Sequence, residues 1–215
     1  MSSAEQRVVR RRRERSDARQ RILDSARELL EERPWSAITL EEVMGRAQLT
    51  RTTFYRYFDD RELLLIALLQ EVAVDLDAAG APWKTGAVDP VAELRENLRT
   101  LAEVFAEHGR LLQAIADAAS HDSDLRAAYL ELADRLVETT AERIAAEVAA
   151  GRSKIVDVDQ VACALTWCNE RYLQRLFGRR PLGDPGVAAA ALAEIWIATI
   201  YGRPGGPDRP GGPDA

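Results

Sequence analysis

Apolar residues recur along this chain at spacings of three and four, and strand signals are few. Ile22, Leu23, Ala26, Leu29 and Leu30 share one helical face, so a first helix is expected from a cap at Ser16 to about Glu32, ended by Pro34-Trp35. Leu40, Val43, Met44 and Ala47 make the stripe of a second, short helix. A leucine-rich run from residue 61 to about Ala79 is apolar nearly all round, which predicts a helix covered on several sides. Gly80 to Gly86 reads as a linker, and Asp89-Pro90 supplies a cap and a first-position proline for the next helix. That helix is expected to stop at His108, with Gly109 opening a shorter one to Ser120. Long helices follow from Asp122 or Ser123 to Gly151, from Asp157 to Gly178, and from Asp184 to Tyr201. The fold class is therefore all-α. The repeated RPGGPD of residues 203–215 reads as a disordered tail.

One segment departs from this core-forming pattern. In TLEEVMGRAQLTRTTFYRYF, residues 39–58, Thr39 and Glu42 have the spacing of a capping box, and Thr50 is placed to cap a second helix. That second helix carries Arg51, Thr52, Thr53, Tyr55, Arg56 and Tyr57, all hydrogen-bond donors, and little aliphatic surface. Such a surface suits a groove lined by phosphate and base edges. Two short helices joined by a tight turn read as a helix-turn-helix, completed as a three-helix bundle by the helix before them, with Trp35 packed beneath.

The segment, with Arg61-Glu62-Leu63 after it, resembles the DNA-binding region of the TetR family of bacterial transcriptional regulators. The shared residues are Thr39, Val43, Ala47, Thr50 and Thr53, then Phe54, Tyr55, Tyr57 and Phe58, then Glu62 and Leu63. Gln48 stands where the family usually has a turn glycine, which predicts a mildly strained left-handed residue. Arg61 stands where lysine is usual. The resemblance implies double-stranded operator DNA as a partner. Arg51, Thr52 and Arg56 are the candidates for base edges, and Thr39, Thr50, Thr53, Tyr55, Tyr57 and Arg61 those for phosphate.

Charge sharpens this picture. The net charge of −6 conceals eight arginines against three acids in residues 1–21, so a +5 start precedes a body of −11. Residues 1–16 are expected to be a basic disordered arm that attracts DNA, while the acidic body repels it. The domain plan is then arm 1–16, helix-turn-helix domain 17–60, helical ligand-binding and dimerisation domain 61–202, and tail 203–215. No apolar run is long enough to span a bilayer and no secretory signal opens the chain. Cys163 and Cys168, five apart on one helix, suit neither a zinc site nor a disulfide, so a reduced cytoplasm is expected.

The last two long helices are more apolar than one subunit's surface tolerates, which predicts a twofold partner and a four-helix interface. Ala188, Ala191, Ile195 and Ile200 are the candidate contacts. The TetR resemblance implies the same homodimer. A narrower resemblance covers residues 161–202, where WCNERYLQRLFG and EIWIATIYG are similar to the C-terminal domain of the EthR-like subgroup. It implies that Asn169 faces an apolar ligand channel that Trp196 helps line, with Thr166 where the subgroup often has a second asparagine. Read from the residues, Asn169 lies among apolar neighbours where an unpartnered amide is costly. Phe105, Tyr129, Trp167 and Tyr172 are candidate walls of a pocket, with Leu68, Leu101 and Ile115 as contributors, although each also reads as plain core. Glu170 and Arg171 are expected in an internal polar network.

An enzyme is not expected. His108 and His121 stand apart from any nucleophile or ligand set, and Gly151-Arg152-Ser153-Lys154 lacks the frame of a phosphate loop. No cofactor or metal is implied. The expected function is a dimeric repressor released from a palindromic operator by a small, largely apolar ligand. The rivals are a DNA-binding regulator without small-molecule control, and a protein-interaction adaptor retaining the fold.

Overall fold

Aspartates open the long helices of the second half of the chain. Asp89, Asp122, Asp157 and Asp184 each accept a hydrogen bond from a backbone N–H in the first turn that follows, satisfying donors that a helix start leaves orphaned. Pro90 and Pro185 stand at the first helical position, where a missing N–H costs nothing. Helices start where these residues stand.

A computed structural model describes residues 3–84, 89–180 and 182–202. The described residues form eight α-helices and no strand, as the all-α reading expects: α1 (Ser3–Glu32), α2 (Leu40–Arg46), α3 (Arg51–Phe54), α4 (Arg61–Lys84), α5 (Pro90–Ala119), α6 (Ser123–Ala149), α7 (Val158–Phe177) and α8 (Pro185–Ile200). A short 3-10 turn, Trp35–Ala37, separates α1 from α2. Helix α5 is the hub of the C-terminal half, packing against α4, α6, α7 and α8, and it also touches α1.

Three boundaries differ from the sequence expectation. Helix α1 does not start at Ser16 but runs back to Ser3 through the arginine-rich segment expected as a disordered arm. Arg, Glu, Gln and Ala are good helix formers, and no Gly or Pro interrupts them. Helix α4 runs on to Lys84 through the expected linker, because Trp83 buries its ring against the core. Helix α5 does not break at Gly109. A Cβ there would stand 2.7 Å from the Cβ and the carbonyl oxygen of Phe177, so this glycine lets α7 cross α5 at close range. The tail, residues 203–215, and the end of the expected linker, residues 85–86, lie outside the described residues.

Helix α6 holds one fully buried carboxylate, Glu147, which pairs with Arg143 at 2.8 Å and with Arg152 at 2.6 Å. The hydrogen bond from Arg152 leads in holding the Glu147 carboxyl below its ordinary range, with Arg143 adding to it against the penalty of burial. No helix among the described residues is long and apolar enough to cross a membrane.

Candidate DNA-reading surface and ligand cavity

The helix-turn-helix is built by its caps. The Thr39 hydroxyl accepts from the Glu42 N–H at 3.3 Å, and Glu42 returns the bond to the Thr39 N–H at 2.8 Å, a reciprocal capping box. The Glu42 carboxyl is drawn down to about 2, chiefly by that backbone N–H, then by the Thr39 hydroxyl and Arg33. Thr50 caps α3 by accepting from the Thr53 N–H at 3.3 Å. Gln48 takes a φ of +53° in the intervening turn, the left-handed conformation that the missing glycine predicts. Phe54 and Phe58 are buried, their ring centroids 5.3 Å apart, and fix α3 on the bundle.

With those rings inward, Arg51, Thr52, Tyr55 and Arg56 face outward, together with the capping residues Thr39 and Thr50, while Thr53 and Tyr57 are half-buried. Arg51 pairs with Glu41 and donates to the Tyr55 hydroxyl at 3.2 Å, and its guanidinium lies 5.8 Å from the Tyr55 ring centroid. An acidic residue thus occupies one arginine of this outward face.

Arg61, expected on phosphate, is turned inward. Its guanidinium donates to the carbonyls of Ile38 at 2.7 Å and Trp35 at 3.2 Å and stacks 4.4 Å from the Trp35 ring centroid. It clasps the 3-10 turn to the start of α4. The partners are carbonyls of an irregular segment, which no side-chain pattern announces.

Behind the bundle lies a cavity between α4, α5, α6 and α7, closed at one side by Trp196 of α8. It offers about 110 Å³ of room to the centre of a water-sized body, many times what one water needs. Of the expected ligand residues, Phe105, Tyr129, Thr166, Trp167, Asn169 and Trp196 line it, as does Leu101. Tyr172, Leu68 and Ile115 do not. Leu68 and Ile115 are buried core, and Tyr172 is half-buried on another side of α7.

Asn169 is buried, and its side-chain carbonyl accepts from Trp196 Nε1 at 2.9 Å. The Thr166 hydroxyl donates to that of Thr140 at 3.4 Å. Tyr129 donates to Glu170, and Gln174 Nε2 donates to the Tyr129 oxygen at 3.2 Å. Burial, and then the carboxylate of Glu170, push the Tyr129 phenol above its usual range, so it stays a donor. Glu170 therefore belongs to an internal network, whereas Arg171 is exposed.

Sequence reasoning passed over Trp83, Asn97, Leu132 and Gln174, which also line the cavity. A tryptophan inside a supposed linker is the signal that could have found the first; the others need the packing of α5 and α6 against α7.

Of the four candidate dimer contacts, Ala188 and Ile200 are buried within the chain itself. Ala191 is half-buried and Ile195 is 47% exposed. Val187, one turn before Ala191 and 67% exposed, extends the same outward face of α8. On α7, Ala164 and Cys168 are exposed.

Comparison with known proteins agrees with this geometry. Residues 22–68 match the family model of bacterial regulatory proteins of the tetR family, and residues 94–202 match that of the C-terminal domain of the transcriptional regulator EthR. The regulator EthR of Mycobacterium tuberculosis is 30% identical over 189 residues, covering 85% of this chain and 86% of that protein. The EthR of Mycolicibacterium smegmatis is 26% identical over 184 residues, covering 84% and 85%. Among solved structures, the TetR-family regulator PfmR from Thermus thermophilus superposes with a TM-score of 0.67 at 23% identity, covering 81% of this chain and 96% of its own. A candidate transcriptional regulator from Saccharomonospora viridis, in complex with choline, gives 0.71 at 19% identity, covering 87% and 100%. At those identities the structures speak for the fold, while the family models and the mycobacterial relatives speak for the lineage. The chain belongs to the TetR family of transcriptional regulators, with an EthR-type C-terminal domain.

Proposed function

We propose that the protein is a dimeric, sequence-specific repressor that leaves a palindromic operator when a small, largely apolar ligand enters the cavity. The observation that carries this reading is the double attachment of α4. Arg27 of α1 pairs with Glu71 of α4 at 2.5 Å, and Leu76, Ala79, Gly80 and Trp83 of the same helix line the cavity. A ligand that shifts the cavity wall therefore moves the helix to which the DNA-binding head is tied.

On DNA, Arg51, Thr52 and Arg56 are the base readers and Thr39, Thr50, Thr53, Tyr55 and Tyr57 the phosphate contacts. Arg51 exchanges Glu41 for the nucleic acid. Two copies meeting through α7 and α8, with Val187, Ala191 and Ile195 at the contact, would set two α3 helices about one DNA turn apart, roughly 34–36 Å. Release requires a ligand that favours the wrong spacing, and a coupling of about 1–3 kcal/mol is typical of such switches. A ligand held by another protein of this fold supports a binding role for the cavity. Work of this kind is done in the cytoplasm, without catalysis.

The test is selection of duplexes from a random pool, followed by anisotropy titration of the winning sequence. An enriched palindrome is expected, bound about tenfold or more weaker by Arg51→Ala and Arg56→Ala. Enrichment of no sequence would overturn the reading. Ile195→Arg is expected to give monomers in sedimentation and to lose operator binding with the dimer.

A further inference from the structure

Glu170 is the one charged residue among those lining the cavity, and it makes no ion pair among the described residues. A carboxylate facing an apolar space without a cation is costly. Its hydrogen bonding is sparse. Tyr129 gives it a single hydrogen bond, through Oε1. Because the phenol proton is committed there, Gln174 has to present its NH2 group to the phenol oxygen, which it does at 3.2 Å. The Gln174 carbonyl oxygen, Oε1, is then left buried with no hydrogen-bond partner, in a residue only 2% exposed. Glu170 and Gln174 lie one turn apart on α7, so both act on the same end of the cavity.

The atoms at that end with no hydrogen-bond partner are acceptors, the second carboxylate oxygen and the amide oxygen. Asn97, across the cavity on α5, spends one amide N–H on the Ala79 carbonyl at 2.6 Å and keeps its carbonyl oxygen and a second N–H. Asn169 adds donors, since Trp196 has taken its carbonyl and left its N–H groups. Apart from the hydroxyls of Thr139, Thr140 and Thr166, the rest of the lining is aliphatic or aromatic, and the rings of Trp83, Phe105, Trp167 and Trp196 are of the kind that attracts a cation. No basic side chain lines the cavity to hold an anionic head.

We infer that the ligand of this cavity is an amphiphilic ammonium compound, a protonated primary or secondary amine on an apolar body. Its N–H groups go to Glu170 and to the Gln174 amide oxygen, and its apolar part lies against Leu101, Leu132 and Leu136. The inference rests on the reading of the cavity as a ligand site and adds the charge and donor character of what enters it.

Titration of the full chain with n-octylamine, n-octanol and n-octanoate, followed through tryptophan fluorescence, tests it. Octylamine, a cation at neutral pH, is expected to bind about tenfold or more tighter than octanol, with octanoate weakest. Glu170→Gln, the same size without the charge, should bring octylamine and octanol to about equal affinity. Gln174→Leu, which keeps the carboxylate, should narrow the gap part of the way and serves also if the first variant does not fold. Octanol or octanoate binding as tightly as octylamine, or a preference for octylamine that survives Glu170→Gln, would overturn the ammonium assignment and leave the apolar cavity standing. Binding of none of the three would overturn both.

Discussion

Gly109 of α5 and Phe177 of α7 cross so closely that a Cβ on the glycine would stand 2.7 Å from the phenylalanine Cβ and 2.8 Å from its carbonyl carbon. Glycine to alanine inside a helix ordinarily stabilises, by about 1 kcal/mol. Here the obstructing atoms are backbone and Cβ, which cannot swing aside. Gly109→Ala should therefore destabilise by about 2 kcal/mol or more, read as a lower urea midpoint at unchanged slope. A gain in stability would show that the two helices can part at no cost.

The hydrogen bond between Trp196 and Asn169 makes a second prediction. Trp196→Phe removes the donor and leaves a buried amide oxygen unpaired, at a cost of about 1–3 kcal/mol. Asn169→Leu removes the acceptor as well. The double variant should lose less than the sum of the single ones, with a coupling of about 1 kcal/mol or more in chemical denaturation. Strict additivity would mean that the bond contributes nothing.

Arg61 separates a structural role from a nucleic-acid contact. If its work is to clasp Trp35 and Ile38, Arg61→Ala should cost about 1–3 kcal/mol of stability. Lysine should not restore it, because a point cation cannot serve two carbonyls and stack on the indole as a planar fork does. The slope of operator affinity against salt should be unchanged, since no phosphate contact is lost. A shallower slope at normal stability would return Arg61 to the DNA surface.

These cases show what could be read before the fold was known. The caps at Thr39, Thr50, Asp89, Asp122, Asp157 and Asp184 were legible because each bonds its own next turn, so sequence spacing is the geometry. The expectation for Asn169 came from resemblance, and Trp196, 27 residues on, was named beside it without the bond between them. Gly109 was misread as a break because a glycine that permits a crossing and one that ends a helix look alike locally. Trp83 was lost in a segment rich in Gly and Pro, whose local preference the burial of an indole overrides. Glu170 and Gln174 line the cavity and Tyr172 does not, and which side of α7 faces α6 is settled by packing alone.

Gln48 stores strain that a single change should relieve. At φ +53° a side chain costs about 1 kcal/mol relative to glycine, the residue the family usually carries here. Gln48→Gly should raise the melting temperature by roughly 2–4 °C. The Gln48 side chain is exposed, so no packing is lost in exchange. A lower melting temperature would indicate that the unfolded-state freedom of glycine outweighs the relief.

Glu42 predicts how the bundle responds to acid. Its carboxyl is held at about 2 against an ordinary 4.5, first by the Thr39 N–H, then by the Thr39 hydroxyl and Arg33. A depressed carboxyl pKa means that the unfolded chain takes up a proton more readily than the folded one. The stabilisation is therefore complete above pH 4.5 and is lost as the pH falls toward 2. Glutamine at this position keeps an oxygen for the Thr39 N–H but never carries the charge. The gap in melting temperature between the wild type and Glu42→Gln should be widest near neutrality and close as the pH falls through that window, measured by circular dichroism at fixed ionic strength. Because Arg33 supplies part of the effect at 2.7 Å, Arg33→Ala should narrow the same gap at neutral pH. A gap that stays constant from neutrality down to pH 2 would show that shape, and not charge, makes the capping box hold.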